Sequence, residues 1–118
     1  MAVKEFYEKL NMDYEGVLQR LANDAIIQKF VIRFLDDPSF GKLKEGIDNH
    51  DGEEAFRAAH TLKGVCLNLG FDQLYQSSAD LTEQLRDRKT DGCEDLFQRV
   101  EQDYVTLTQE IRSTLMEK

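Results

Sequence analysis

The chain has 118 residues, which is enough for one globular domain. Its 15 Lys and Arg residues against 23 Asp and Glu residues give a formal net charge of −8, which disfavours binding to a nucleic-acid backbone. No stretch approaches the roughly 20 apolar residues that cross a membrane, and the N-terminus lacks the apolar core of a signal peptide. We therefore expect one domain over residues 1–118, cytoplasmic and monomeric, that binds neither nucleic acid nor membrane.

The cysteines and histidines give no pattern typical of a metal site. Cys66 and Cys93 fall on different predicted helices without the CxxC spacing of a zinc site, so we expect two reduced thiols. His50 lies beside a predicted helix end and is interpreted as a loop or capping residue. No second histidine shares the predicted helix face of His60, so we expect no metal ligands.

Apolar residues recur at intervals of three and four along nearly the whole chain, a pattern typical of helices. Residues 3–21 are predicted to form two short helices with a break near 11–13. Longer helices are predicted over 25–35, 38–49, 51–68 and 72–88, and from 91 towards the C-terminus. The residues expected to cap or end these helices are Asn23 or Asp24, Asp37 before Pro38, Asp51 with Glu54, Gly70, and Asp91 with Glu94.

Short connections between long helices favour antiparallel packing of neighbours. The sequence therefore predicts an all-α protein, an up-and-down antiparallel four-helix bundle over residues 24–118. The short helices of residues 1–23 are expected to cap one end of this bundle.

The predicted helix over 51–68 carries the most informative residues. On a helical wheel its core face lies about 160° from His60, so the imidazole is expected to point towards solvent. An exposed imidazole is largely neutral near physiological pH, and its unprotonated nitrogen can act as a nucleophile. The apolar core face comprises Ala55, Ala58, Ala59, Leu62, Val65, Cys66 and Leu69.

Two large apolar side chains share the exposed face with His60. Phe56 lies one turn before it and Leu67 two turns after it, with Arg57 and Lys63 at the flanks. Apolar groups around a reactive residue suit a docking surface that is locally neutral or basic, predicted to comprise Phe56, Arg57 and Leu67. Coverage of the same groups by another part of the chain is equally compatible with this pattern.

Gly64 and Lys63 indicate which kind of group this face receives. A glycine inside a helix costs about 1 kcal/mol relative to alanine, so its presence one turn from His60 suggests that space is needed there. Lys63 supplies a positive charge that could pair with the oxygens of a phosphoryl group on His60. A solvated surface lysine is the alternative interpretation.

The run HTLKGVCLNLG from His60 to Gly70, preceded by alanine, resembles the AH-x-LKG-x-x-x-x-LG signature of the histidine phosphotransfer (HPt) family of two-component phosphorelays. The resemblance implies a four-helix bundle in which His60 accepts a phosphoryl group from a receiver-domain aspartate and passes it to another receiver. It further implies that Lys63 stabilises the phosphorylated state and that Gly64 leaves clearance. Val65, Cys66 and Phe71 are larger than the small residues common in the family, which predicts altered packing rather than lost function.

The same resemblance implies the partners and the cofactor. The expected partners are the receiver domains of response regulators and a hybrid sensor kinase. The chain would have no kinase activity and no cofactor of its own, because the receiver would bring Mg²⁺.

Three further residues are candidates for roles around His60. An antiparallel neighbour that turns at Gly70 would bring Ser78 and Thr82 near the level of His60, where either hydroxyl could orient the imidazole. Arg86 is a further candidate for contact with the phosphoryl group.

Two other classes of function remain open at this point. A binding module of the same fold could dock receivers or other partners without transfer, although the retained histidine argues against this. An enzyme, such as a phosphatase or a truncated histidine kinase, is the third class, but 118 residues leave no room for a separate ATP-binding domain.

Overall fold

A computed structural model describes residues 2–116, and all regular structure within that range is helical. The predicted all-helical class is therefore confirmed for these residues. The α-helices are α1 (Val3–Lys9), α2 (Tyr14–Leu21), α3 (Asp24–Arg33), α4 (Ser39–Asp48), α5 (Gly52–Leu69), α6 (Asp72–Gln84) and α7 (Glu94–Ile111).

Side-chain caps explain where several helices begin. The Asn23 side chain accepts a hydrogen bond from the Ile26 N–H at 2.9 Å, as predicted for the start of α3. Asp51 accepts one from the Glu54 N–H at 3.1 Å and so caps α5. The break after α1 is also confirmed, because Asp13 caps α2.

One predicted helix start is wrong. Asp91 was expected to cap the last helix, but α7 begins at Glu94 after Cys93, which makes no side-chain cap bond. The reason is Gly92, whose φ of +75° turns the chain between Asp91 and the helix. Helix α4 begins at Ser39, one residue after the predicted Pro38, and the Asp37 carboxylate accepts from the Ser39 N–H at 2.8 Å, as expected for a residue that caps this start.

Short turns of other helix types follow three of the α-helices. Turns of 3₁₀ helix extend α3 over Phe34–Asp36 and α6 over Leu85–Asp87, so that both predicted helices end in a tighter turn. A π-helical turn, Arg112–Met116, follows α7. As predicted, Gly70 ends α5, in a left-handed conformation with φ +69°.

Neighbouring helices in the chain pack against each other, α4 on α5, α5 on α6 and α6 on α7. Gly46 lets α4 approach α5 closely, because a Cβ there would lie 2.8 Å from the Ala55 nitrogen. Within residues 2–116, no helix is both long enough and apolar enough to cross a membrane.

The N-terminal helices pack over the C-terminal end of α5. The buried Tyr7 hydroxyl of α1 donates to the Leu69 carbonyl at 2.5 Å. Arg20 of α2 donates to the carbonyls of Leu67 and Asn68 at 3.1 to 3.2 Å. These bonds satisfy carbonyls that the end of a helix leaves without partners, and they fix α5 in place.

Candidate functional site

Helix α5 presents His60 to solvent on the side opposite its buried face. Ala59 and Leu62 on either side of it are fully buried, which fixes the rotation of the helix. His50 lies in the turn after α4, as its interpretation as a loop residue requires, and its ring lies 3.4 Å from the Thr90 hydroxyl. The His60 ring, in contrast, has no hydrogen-bond partner among residues 2–116.

The space beside His60 on α5 is open. Gly64 is exposed one turn further along, and a Cβ built on it would meet no atom within 4 Å outside its own helix. Nothing in the described fold therefore requires a glycine at this position. Its small size leaves room that another molecule could occupy.

Lys63 is half-buried and lies close enough to Glu83 of α6 to affect its titration. The pKa of the Glu83 carboxyl is lowered, first by hydrogen bonding to Arg86 and its charge, and also by the charge of Lys63. The Arg86 guanidinium donates to both Glu83 oxygens, at 2.6 and 3.1 Å. Arg86 is thus paired with Glu83, three residues earlier in the chain.

Ser78 and Thr82 are fully buried on α6. The Ser78 hydroxyl donates to the Leu74 carbonyl at 2.6 Å, and the Thr82 hydroxyl donates to the Ser78 carbonyl at 2.7 Å. The structure joins neither hydroxyl to His60, because each one bonds back to the preceding turn of its helix.

Phe56 is the aromatic neighbour of His60, with 6.0 Å between the ring centres and 36° between the ring planes. It was predicted to be exposed, but it is half-buried, because it packs against the hydrophobic core and the Arg88 guanidinium lies 3.7 Å above its ring centre. Arg86 lies further off, at 5.9 Å from the same centre. The arginine that covers Phe56 comes from the connection between α6 and α7, and sequence reasoning missed it.

The other two predicted docking residues are exposed. Arg57 is 76% exposed at its side chain and pairs with Glu53 Oε1 at 3.0 Å. Leu67 is 59% exposed two turns after His60, an unusual position for a large apolar side chain. Both thus lie on the accessible surface around His60.

A family model, the Hpt domain, matches residues 8–113. The chain belongs to the Hpt domain family. Hpt domains are phosphocarriers of two-component phosphorelays, in which they interact with receiver domains and kinases. Separate comparisons with curated proteins and with solved structures found no match.

This Hpt domain also exposes apolar side chains of α3 that belong to the broad apolar stripe of that helix. Ile26 is 37% exposed and Phe30 is 40% exposed. Phe30 and Arg33 line a shallow groove against Val65 and Asn68 of α5. A helix pattern with a broad apolar stripe does not show which edge of the stripe stays uncovered.

The cysteines of the Hpt domain are both buried and unpaired, as expected for thiols. Burial raises the pKa of the Cys66 thiol and that of the Cys93 thiol. Within residues 2–116, no group of three or more His, Cys, Asp or Glu side chains is arranged to hold a metal ion.

Proposed function

We propose that this Hpt domain is a phosphocarrier that accepts a phosphoryl group on His60 from a receiver aspartate and passes it to a second receiver. The observation that supports this most directly is the exposed His60 with open space beside Gly64 on the same face of α5. A nucleophile that exchanges a group between two proteins must be reached by each of them in turn. A histidine with only a structural role would not need this clearance.

The chemistry needs little from the chain itself. The unprotonated nitrogen of the His60 ring attacks the phosphorus of the aspartyl phosphate, so that a P–N bond forms while the P–O bond breaks. The aspartate leaves as a carboxylate, and transfer to the second receiver runs the same exchange in reverse. The receiver contributes Mg²⁺ to the transfer, and the Hpt domain contributes no cofactor and no kinase activity of its own.

Each site residue has a separate part in this proposal. Lys63 turns towards the phosphoryl oxygens and offsets their charge, and Gly64 gives the receiver clearance. Phe56, Arg57 and Leu67 contact the receiver surface around the aspartate.

The proposal extends to the whole molecule. Residues 1–118 would act as one monomeric domain in the cytoplasm. Residues 24–118 would form the up-and-down antiparallel bundle, with α4 to α7 as its four helices, and the helices of residues 1–23 would cover one end. The consecutive packing of these four helices supports this arrangement. The expected donor is the receiver of a hybrid sensor kinase, and the acceptor is the receiver of a response regulator.

Phosphoramidate labelling followed by intact mass measurement tests the reactive group. We expect one acid-labile phosphoryl group on the native chain, none on His60→Ala, and an unchanged amount on the matched control His50→Ala. Labelling that survives in His60→Ala would contradict the assignment of His60.

Transfer is tested with receiver domains encoded in the same genome, each labelled with acetyl phosphate. We expect at least one of them to phosphorylate His60, and the labelled Hpt domain to pass the group to a second receiver. Receivers that bind the native chain and His60→Ala equally, without any transfer, would instead indicate a docking module.

A further inference from the structure

We propose that Arg88 is a positioning residue for His60 and acts through the ring of Phe56. The guanidinium of Arg88 lies over one face of Phe56 at 3.7 Å, and Phe56 is the aromatic neighbour of His60. A cation at this distance from a ring centre is attracted to the electrons of the ring face. Arg88 therefore holds the Phe56 ring at one orientation beside the reactive imidazole.

The main chain of Arg88 is fixed against the start of α5. Arg88 has a left-handed backbone with φ +64°, a conformation that residues other than glycine and asparagine rarely adopt. Gly52 is buried against it, and a Cβ on Gly52 would lie 1.8 Å from the Arg88 carbonyl oxygen. The turn that contains Arg88 is thus held against the first residue of α5, about two helical turns before His60.

The side chain of Arg88 is fixed by two further contacts. Its Nε donates to Glu53 Oε2 at 3.1 Å, and its guanidinium also donates to the main-chain carbonyl of Arg86. Glu53 is shared, since its other oxygen pairs with Arg57. Planar guanidinium groups lose less freedom per hydrogen bond than lysine does, which suits Arg88 for a fixed stack on a ring.

The His60 ring is exposed and has no hydrogen-bond partner among residues 2–116, so the neighbouring Phe56 ring is the group that bears on its orientation. Phe56 lies one turn before it on the same helix, with the ring centres 6.0 Å apart. Because Phe56 also packs against the core, loss of the Arg88 stack would let its ring tilt within that contact and free the imidazole to sample other orientations. A small misplacement of a reacting group greatly lowers the rate of transfer.

The test compares Arg88→Asn with Lys89→Asn. Asparagine tolerates the left-handed backbone, so Arg88→Asn removes the guanidinium and keeps the turn. Lys89→Asn removes the same charge from the adjacent exposed residue, whereas the cations over the Phe56 ring belong to Arg86 and Arg88. Arg88→Gly serves as a second variant with the same purpose, and circular dichroism verifies that each variant keeps its helix content.

The first readout is the NMR signals of the His60 ring protons in the unphosphorylated full chain. A neighbouring aromatic ring shifts these signals, so a reoriented Phe56 moves them. We expect Arg88→Asn to displace them in the direction produced by Phe56→Leu, whereas Lys89→Asn leaves them in place. Unchanged His60 signals in both Arg88 variants would overturn the proposal.

The second readout is the rate of transfer from the receiver domain that phosphorylates His60 fastest. We expect Arg88→Asn to slow transfer about threefold or more, Arg88→Lys to restore part of the rate, and Lys89→Asn to have no effect. In a Phe56→Leu background, Arg88→Asn should add nothing further. Equal slowing by Lys89→Asn would show that Arg88 acts by its charge alone. A full additional effect of Arg88→Asn in the Phe56→Leu background would show that Arg88 does not act through Phe56. Either result would overturn the proposal.

This inference rests on the proposed function of His60, but the two can fail separately. Absence of labelling and of transfer in the native chain would refute the phosphocarrier. The NMR comparison uses the unphosphorylated protein, so it decides the role of Arg88 in either case.

Discussion

Gly64 combines an exposed position in the middle of α5 with empty space around its α-carbon. Because glycine destabilises a helix interior by about 1 kcal/mol relative to alanine, we expect Gly64→Ala to raise the free energy of unfolding by up to about that amount. Gly64→Gln should also fold, but its side chain would fill the space that a receiver needs. We expect it to abolish transfer while circular dichroism shows native helix content.

Gly41 provides the matched control for this prediction. It is also exposed inside a helix, α4, and a Cβ there would meet nothing within 4 Å. Gly41→Gln should therefore fold and transfer normally. Normal transfer by Gly64→Gln would remove the argument that the glycine provides clearance.

Glu83 places a carboxylate where it interacts with both Arg86 and Lys63. On His60 a phosphoryl group would compete with this carboxylate for the same cations. We expect Glu83→Gln to shift the equilibrium of a mixture with a phosphorylated receiver towards phospho-His60. The shift should be small, about two- to threefold, because exposed charges are screened by water.

The ratio of phosphorylated Hpt domain to phosphorylated receiver at equilibrium measures this effect. Glu45→Gln removes the same charge from an exposed position on α4 and serves as the control. An identical ratio for both variants would mean that Glu83 does not oppose the phosphoryl group.

At the scale of elements, Gly52 connects the start of α5 to the α6–α7 connection. A Cβ on Gly52 would lie 1.8 Å from the Arg88 carbonyl oxygen, and main-chain atoms cannot yield as the tip of a side chain can. We expect Gly52→Ala to lower the free energy of unfolding by about 1–3 kcal/mol. Urea unfolding measures this loss, with Gly41→Ala as the control that should not lose stability.

Helix α5 was predicted to within one residue at each end, and α7 was not. Both ends of α5 carry local signals, since Asp51 caps it and Gly70 provides the left-handed turn. The Asp91–Glu94 spacing has the same local pattern as a capped start, but Gly92 between them adopts a positive φ. A sequence pattern cannot separate these two outcomes, because both satisfy the same local preferences.

The site was predictable where helix geometry alone decides it. The positions of His60, Gly64 and Leu67 on the exposed face follow from the period of the helix. The cover of Phe56 by Arg88 does not, because it joins residues far apart in the chain through the turn at Arg88, which packs against Gly52. The level of Ser78 and Thr82 along α6 likewise does not show which acceptor each hydroxyl bonds, and both donate to main-chain carbonyls of their own helix.

At the scale of the whole molecule, buried phenols and thiols link stability to alkaline pH. Burial raises the pKa of Tyr7 and Cys66, and a hydrogen bond to Asp24 raises the pKa of Tyr14 to about 12. Groups with raised pKa in the folded state contribute full stability below their unfolded pKa and lose it as pH rises through their folded pKa. We therefore expect the urea midpoint to fall progressively above about pH 8.5 to 10, where unfolded thiols and phenols ionise.

Tyr7→Phe separates one of these contributions. Near pH 8 the variant should be less stable than the native chain by about 1 kcal/mol, since it lacks the hydrogen bond to the Leu69 carbonyl. The difference should shrink as pH rises past about 10, because only the native chain carries the buried phenol that must ionise. A constant difference across this range, measured under reducing conditions, would contradict the assignment.

Two glycines of α5 would respond in opposite ways to selection. Gly52 touches a neighbour that is present in the fold, so a screen for folded, abundant variants would reject its replacement. Gly64 touches nothing in the described fold, so the same screen would favour alanine there. A mutational scan scored for abundance and again for signalling output would therefore agree at residue 52 and disagree at residue 64, and the disagreement would mark the transfer site without any labelled phosphate.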